Sequence, residues 1–163
     1  MKVTMVTKRA DTIEEGIGYM IEAAIENYTE YRTDMEKSYA DEWSQERMKE
    51  DIENYTNSIQ MEKRRKYHRV RSGGNQFLTF VCAVDVETKE GKFRKGDVLM
   101  SAGADTPAMN KARGNVLTGG YPITWQGALY LVETGIRQWG AGWMNPSYDQ
   151  VMEAPINADG DFI

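Results

Sequence analysis

The stretch that decides the fold is KYHRVRSGGNQFLTFVCAVDV, residues 66–86. Residues 67–71 alternate in character with the two-residue period of a β-strand. The Gly-Gly-Asn triplet at 73–75 is typical of a turn, and residues 77–86 are rich in β-branched and aromatic side chains. The stretch therefore predicts an antiparallel β-hairpin.

Further along the chain, a turn around Lys89 to Lys95 leads to a short apolar stretch at Asp97 to Met100, so we expect three antiparallel strands. Between Ser101 and Pro122 the chain has four glycines and two prolines. This composition predicts a long loop, with one helical turn near Pro107 to Arg113.

The next segment, Ile123 to Trp139, fits either a helical face or a strand. A helix capped by Thr124 and ended by Gly140 is the favoured interpretation, and a hairpin remains open. The tail from Met144 contains two prolines and an acidic end, and we expect it to be irregular.

On the N-terminal side, Thr12 and Glu15 have the spacing of a capping box, which predicts a helix start. Apolar side chains then step by four and three alternately, first at Ile17, Ile21, Ala24, Tyr28, Tyr31 and Met35 and again at Met48, Ile52, Tyr55 and Ile59. Two helices packed as an antiparallel hairpin would bury both seams. Residues 36–43 contain no Gly or Pro, so one long helix also remains open.

Together these elements predict an α+β fold. An acidic helical hairpin in residues 1–62 joins a small antiparallel sheet in residues 63–163, which adds the Gly-rich loop and a C-terminal helix or hairpin. The two parts form either separate units or one integrated domain.

Charge is segregated between these parts. Residues 1–62 carry 15 acids and 7 bases, whereas residues 63–163 carry 10 acids and 13 bases. The lone Cys82 and lone His68 allow neither an internal disulfide nor a Cys/His zinc set. No apolar run approaches the roughly 20 residues of a membrane span, and the first residues lack the apolar core of a signal peptide. We expect a cytoplasmic protein with no cofactor and no metal.

The first candidate surface is the acidic hairpin. Its carboxylates are Glu14, Glu15, Glu22, Glu26, Glu30, Asp34, Glu36, Asp41, Glu42, Glu46, Glu50, Asp51 and Glu53. If these carboxylates formed a row, they would imitate the phosphates of DNA. The structural alternative is that they form the solvated outer face of two amphipathic helices.

The second candidate is a basic cluster with six permanent cations in nine residues, Lys63, Arg64, Arg65, Lys66, Arg69 and Arg71. These cations suit phosphates, and Tyr67 suits stacking on a base, so Arg64, Arg65, Tyr67, Arg69 and Arg71 are candidate nucleic-acid contacts. Pairing with the acidic helices and with a helix C-terminus is the structural alternative.

The third candidate is the loop region. Its candidate ligand-binding residues are Lys92, Arg94, Lys95, Lys111, Arg113 and Asn115. Backbone amides near Gly114, with Arg and Lys beside them, are what a phosphate or nucleotide site requires. Neither a GxGxxG nor a GxxxxGK[ST] motif occurs in proper context, and tight turns are the alternative use of these glycines.

Catalytic residues are not signalled. His68 has no partner nucleophile or carboxylate nearby in the sequence, and Cys82 between Val81 and Ala83 is typical of a core residue. Trp125, Trp139 and Trp143 suit either a stacking platform or the core. We expect a protein that is not an enzyme.

The runs FRKGDVLMSAG and TPAMNKARGNVLTGG resemble a pattern of small proteins from tailed bacteriophages and prophages. The matching residues are Lys66, Tyr67, Phe77, Gly96, Asp97, Ala102, Pro107, Ala108, Ala112, Arg113, Gly114 and Asn115, over about a third of the chain. Where that pattern has an aromatic before its Pro-Ala pair, this chain has Ala104, Asp105 and Thr106.

The resemblance implies phage origin and a place of action in the host cytoplasm. With the charge segregation, it favours a counter-defence or host-takeover inhibitor that occludes a host protein or sequesters a nucleotide or phosphate ligand. The alternative is a nucleic-acid-binding accessory protein of phage DNA metabolism. A homo-oligomer remains open.

Overall fold

Two long helices and eight short strands make up the part of the chain that the computed structural model describes, residues 2–35, 42–89 and 91–129. In chain order the helices and strands are β1 (Thr4–Val6), α1 (Ile13–Met35), α2 (Glu42–Ser58), β2 (Gln60–Glu62), β3 (Tyr67–Arg71), β4 (Leu78–Cys82), β5 (Val86–Thr88), β6 (Gly91–Phe93), β7 (Val98–Met100) and β8 (Tyr121–Ile123). The predicted α+β class is confirmed.

Helix α1 begins where the capping pattern predicts. The Thr12 hydroxyl accepts a hydrogen bond from the Glu15 amide at 3.1 Å and so satisfies one of the amides that have no partner inside the helix. Glu14 and Glu15 also place negative charge in the first turn, at the positive end of the helix dipole.

Helices α1 and α2 pack against each other in antiparallel orientation. The Tyr28 ring stacks on the Tyr55 ring at 4.3 Å, and one turn further along α1, Arg32 Nη2 donates to Asp51 Oδ2 at 3.0 Å. From Tyr28 to Arg32 the chain advances four residues along α1, and the residues that these two contact, Tyr55 and Asp51, go back four residues along α2. The predicted helical hairpin is therefore confirmed.

The predicted apolar seam of α1 is only partly buried. Ile17, Ala24 and Tyr28 lie in the core, but Tyr31 and Met35 are 42% and 50% exposed. The prediction assumed that α2 alone covers α1. Helix α1 also packs on β1 and β8, and its buried residues follow the ordinary helical period of 3.6 residues. In its last two turns Arg32 is buried and bonds to Asp51, whereas Tyr31 and Met35 stay partly exposed.

The sheet contains the predicted strands and one more. Its order is β2-β3-β4-β7, with every neighbouring pair antiparallel, and Val70 pairs with Thr79 while Val81 pairs with Val98. Strands β3, β4 and β7 confirm the three predicted strands. Strand β2 and the separate hairpin of β5 and β6 were not predicted.

The long loop lies along the free edge of β7. The amides of Arg113 and Val116 donate to the carbonyls of Val98 and Gly96, and the Val98 amide donates to the Gly114 carbonyl at 2.9 Å. The helical turn predicted near 107–113 is wrong, because this segment is extended and its backbone groups bond to a strand edge. The loop thus covers a sheet edge that would otherwise be open.

The segment after the loop forms a strand and a tight turn. Strand β8 pairs with β1, and Thr124 then pairs with Gly127 while its hydroxyl accepts a hydrogen bond from the Gln126 amide at 3.2 Å. The favoured helix is therefore wrong for residues 123–129, where Thr124 starts a turn and caps no helix. The rest of the predicted helix, to Trp139 and Gly140, lies outside the described residues.

The larger core cluster joins α1 and α2 to the four-stranded sheet and to the pair of β1 and β8. It contains Met20 and Ala24 from α1, Tyr55 from α2, and Val81 and Tyr121 from the strands. A smaller cluster lies around Phe80 and Phe93. None of the helices in the described ranges is long and apolar enough to span a membrane.

Candidate functional site

Arg113 lies inside the fold. Its side chain donates to the Leu129 carbonyl at 3.0 Å through Nε, and Nη1 donates to Asn110 Oδ1 and to the Lys111 carbonyl. The residue is 2% exposed, and burial lowers the pKa of its guanidinium to about 10, so the group stays charged at neutral pH. Oxygen atoms of the protein itself therefore accept hydrogen bonds from the Arg113 guanidinium, which was predicted to bind a phosphate ligand.

Asn115 is also used internally. Its Nδ2 donates to the Lys95 carbonyl at 2.9 Å and to Asp97 Oδ1 at 3.0 Å, and its Oδ1 accepts from the Leu117 amide at 2.8 Å. Asp97 is fully buried and accepts from the Arg94 amide at 2.8 Å. Burial raises the pKa of Asp97 to about 6. This network ties the loop to the turn before β7, so we give Arg113 and Asn115 a structural role.

The other members of the loop set lie nearer the surface. Lys92, Arg94 and Lys95 are exposed at the end of β6 and after it, while Lys111 is half-buried and burial lowers its pKa. The phosphate-ligand hypothesis stays a prediction, and it now rests on these four cations.

The basic cluster forms ion pairs within the sheet. Glu62 accepts from Arg69 at 2.8 and 3.0 Å, from Arg71 at 2.7 Å and from Arg64 at 3.3 Å. Asp105 accepts from Arg69 at 2.6 Å and from Arg64 at 3.1 Å. The bonds from Arg69 and Arg71 hold the pKa of Glu62 down at about 2. Three of the candidate phosphate contacts thus already have carboxylate partners.

The remaining residues of the basic cluster are arranged differently. Arg65 is exposed, and Tyr67 is half-buried against the smaller core cluster. His68 is buried, its Nδ1 accepts from the Arg64 amide at 3.1 Å, and burial lowers its pKa. Lys63 pairs with Glu14 at 3.3 Å, which is one of the predicted pairs between the cluster and the acidic helices.

A different surface combines exposed apolar and acidic side chains. We call it the hairpin end: residues 30–35, the last turns of α1, and residues 42–47, the first turns of α2. Tyr31, Met35 and Trp43 lie here and are 42%, 50% and 69% exposed. Of the described residues, only Val84 is another exposed large hydrophobic side chain. Exposed apolar patches are typical of interaction surfaces.

The same turns also carry exposed carboxylates. Glu30, Asp34, Glu42 and Glu46 are all exposed at the hairpin end. They continue two rows spaced by four residues, Glu22, Glu26, Glu30 and Asp34 on α1 and Glu42, Glu46 and Glu50 on α2. Along one helix such a row repeats about every 6 Å, which is nearly twice the roughly 3.4 Å of axis per phosphate on one DNA strand. Each row alone therefore has about half the charge density of a DNA strand.

The positive charges of the hairpin end are mostly engaged. Arg32 is buried and bonds to Asp51, and the Arg47 guanidinium lies 5.5 Å from the centre of the Trp43 ring. Lys2 approaches Asp34 at 3.6 Å from the N-terminal segment. The hairpin end thus presents an aromatic side chain within a mainly negative surface.

Sequence reasoning missed this site because it placed Tyr31 and Met35 in a buried seam. Trp43 gave the available signal: it precedes the second seam and belongs to neither, so no helix-packing role was assigned to it. Asp34 and Glu42, only eight positions apart, mark the acidic surroundings in the sequence.

Cys82 and the possible metal ligands are considered for residues 2–35, 42–89 and 91–129, the described part of the chain. Cys82 is fully buried, as predicted, and burial raises the pKa of its thiol to about 12. Within these ranges no three His, Cys, Asp or Glu side chains are grouped to hold a metal ion. Comparison with protein-family models, curated proteins and solved structures finds no match.

Proposed function

We propose that this chain is a binding protein that occludes a basic surface of a host protein through its hairpin end. The observation that carries the proposal is that the hairpin end holds Tyr31, Met35 and Trp43, three of the four exposed large hydrophobic side chains of the described residues, together with exposed carboxylates. Burying such side chains requires a partner.

The two kinds of side chain supply different parts of a binding energy. A tryptophan that becomes buried in an interface is often a hot spot whose truncation costs about 2 kcal/mol or more. Carboxylates around it attract a basic partner and raise the association rate, an effect that salt screens beyond about 8–10 Å. The hairpin end therefore suits a partner with an apolar pocket inside a basic surface.

The biological setting that we propose is phage counter-defence or host takeover in the host cytoplasm. The resemblance to phage proteins and the acidic helices support it. A host protein that binds DNA has the basic surface that the proposal needs, so partial imitation of DNA by the helices fits the same account.

The alternative, nucleic-acid binding through residues 64–71, has weaker support. Arg64, Arg69 and Arg71 bond to Glu62 and Asp105, and a phosphate would have to displace these carboxylates. Sequestration of a nucleotide or phosphate would depend on the exposed Lys92, Arg94 and Lys95 together with Lys111.

Affinity capture from host lysate tests the proposal. We expect the wild-type chain to retain a host protein, and Trp43→Ala to weaken that binding about 30-fold, as loss of a hot spot of about 2 kcal/mol implies. The double variant Glu42→Gln, Glu46→Gln should weaken binding most at low salt.

The matched control is Val84→Ala, which removes an exposed apolar side chain elsewhere on the surface. It should retain as much host protein as the wild type. Equal retention by the Trp43 and Val84 variants would contradict the proposal. Capture of nucleic acid that Arg65→Ala abolishes would favour the alternative.

A further inference from the structure

A cavity of about 340 Å³ opens beside the hairpin end, between α1 and the turn after β8. Its apolar wall includes Tyr31 and Trp125, whose rings stack at 4.9 Å. Glu30, Asp34 and Lys2 line its polar side. A volume above 300 Å³ is within the range of sites for small molecules or single side chains.

Part-buried hydrogen bonds hold the backbone of Trp125, which carries one side of the aromatic wall. The Trp125 amide donates to Asn27 Oδ1 at 2.8 Å, and the Trp125 carbonyl accepts from the Tyr55 hydroxyl at 2.8 Å. Asn27 is 3% exposed, and its Nδ2 also donates to Lys2 and Thr4 in the N-terminal segment. Two helices and a strand region therefore hold Trp125, so a guest would meet a preformed surface.

The described residues that line the cavity carry two carboxylates, on Glu30 and Asp34, and one ammonium, on Lys2. Glu30 makes no ion pair with another described residue, whereas Lys2 approaches Asp34 at 3.6 Å. Two carboxylates against one ammonium disfavour an anionic guest such as a phosphate and favour a cation. Tyrosine and tryptophan faces attract cations as well.

We infer that the cavity receives the guanidinium group of an arginine side chain from the basic protein partner. A guanidinium is planar, stacks on aromatic faces and pairs with carboxylates through two parallel hydrogen bonds. A lysine ammonium is more strongly hydrated and does not stack, so it uses this wall less well. The inference rests on the proposed function and adds the chemical group that the partner must present.

An NMR titration of the 15N-labelled chain tests the inference. The probe is N-acetyl-arginine amide, and its neutral isostere N-acetyl-citrulline amide is the matched ligand control. The readout is the indole N–H signal of Trp125, assigned by its loss in Trp125→Phe. We expect the arginine probe to shift this signal in a saturable way, with an affinity at least tenfold higher than that of citrulline.

Two pairs of substitutions test whether the carboxylates of the cavity lining bind the arginine probe. The pair Glu30→Gln, Asp34→Asn should weaken the arginine probe at least fivefold. The pair Glu50→Gln, Glu53→Gln removes the same charge from α2, outside the cavity lining and outside the hairpin end, and should leave the affinity within twofold. Equal shifts by the two probes, or no shift by either, would overturn the inference.

The two proposals can fail separately. Partner capture that depends on Trp43, with no effect of the arginine probe on Trp125, would leave the proposed function and remove the cavity inference. If Trp125 responds to the arginine probe and not to citrulline, but no host protein is captured in a way that depends on Trp43, the cavity inference stands and the proposed function fails.

Discussion

At the scale of single residues, the Arg-Gly-Asn triplet at 113–115 holds the loop onto the sheet. Arg113 bonds to the Leu129 carbonyl, and Asn115 bonds to Asp97. Between them Gly114 lies directly against the Tyr121 side chain, where an added Cβ would overlap the Tyr121 ring. Contacts inside the fold therefore account for the Arg-Gly-Asn triplet.

Gly114→Ala should destabilise the protein. The new methyl group has to displace the buried Tyr121 side chain or the loop backbone, and overpacking of this kind costs about 1–3 kcal/mol. We expect a loss of about 3 kcal/mol in the free energy of unfolding, measured by urea denaturation.

Gly103→Ala is the matched control in the same loop. No atom lies within 4 Å of a Cβ at this position. The stability should stay within about 0.5 kcal/mol of the wild type, as for an ordinary surface substitution. Equal losses for the two variants would contradict the packing role of Gly114.

Asp97 should make stability depend on pH. The folded state keeps the Asp97 proton up to about pH 6, whereas the unfolded chain releases it near 3.8. Between these values the folded state binds more protons, so raising the pH favours unfolding. This one residue should lower the free energy of unfolding by about 3 kcal/mol at most between pH 4 and pH 7.

The measurement compares urea denaturation of wild type and Asp97→Asn across that pH range. The other titrating groups are the same in both chains, so the difference between the two curves isolates Asp97. We expect the wild type to lose stability relative to the variant as the pH rises. If the difference in the free energy of unfolding between the two chains stays constant with pH, the pKa of Asp97 is the same in the folded and unfolded states, which would contradict the prediction.

Sequence reasoning succeeded for Cys82 and failed for Arg113 for a physical reason. An apolar neighbourhood within one strand already indicates that Cys82 is buried. An arginine followed by Gly and Asn is the same local sequence pattern in a loop that binds an anion and in a loop that bonds to its own protein. The difference depends on the Leu129 carbonyl, sixteen positions away, which no local pattern reveals.

At the scale of elements, strands β3 and β4 were predictable because each has five residues and clear alternation or β propensity. Strands β5 and β6 have three residues each and pair only with each other, too short a pattern to detect. The extended segment at 107–116 exists because β7 offers it an edge, and that edge is set by the tertiary fold.

The two helices should differ in their local stability. Nine residues of α1 are buried, but only Ser44 and Tyr55 are buried in α2, so α2 has far less packing to oppose local opening. In hydrogen exchange, we expect amides of 43–50 to exchange at least tenfold faster than amides of 17–28. Equal protection of both helices would contradict this difference.

At the scale of the whole molecule, the segregated charges have different uses. The basic cluster is largely neutralised by Glu62 and Asp105 within its own region. Most acids of the two helices in the described ranges are exposed, and four of them lie at the hairpin end with its exposed apolar side chains. The net acidity of the helices was visible in the sequence, whereas the exposure of Tyr31 and Met35 depends on how α1 packs in the tertiary fold.

The most direct test of the hairpin end is photocrosslinking from a single position. A chain with p-benzoylphenylalanine in place of Trp43 is irradiated in host lysate, beside a chain that carries the same group in place of Val84. We expect a host protein to be crosslinked from position 43 alone, and less of it at about 0.5 M salt, where the Debye length falls below about 5 Å. Equal crosslinking from both positions, or none from position 43, would contradict the account.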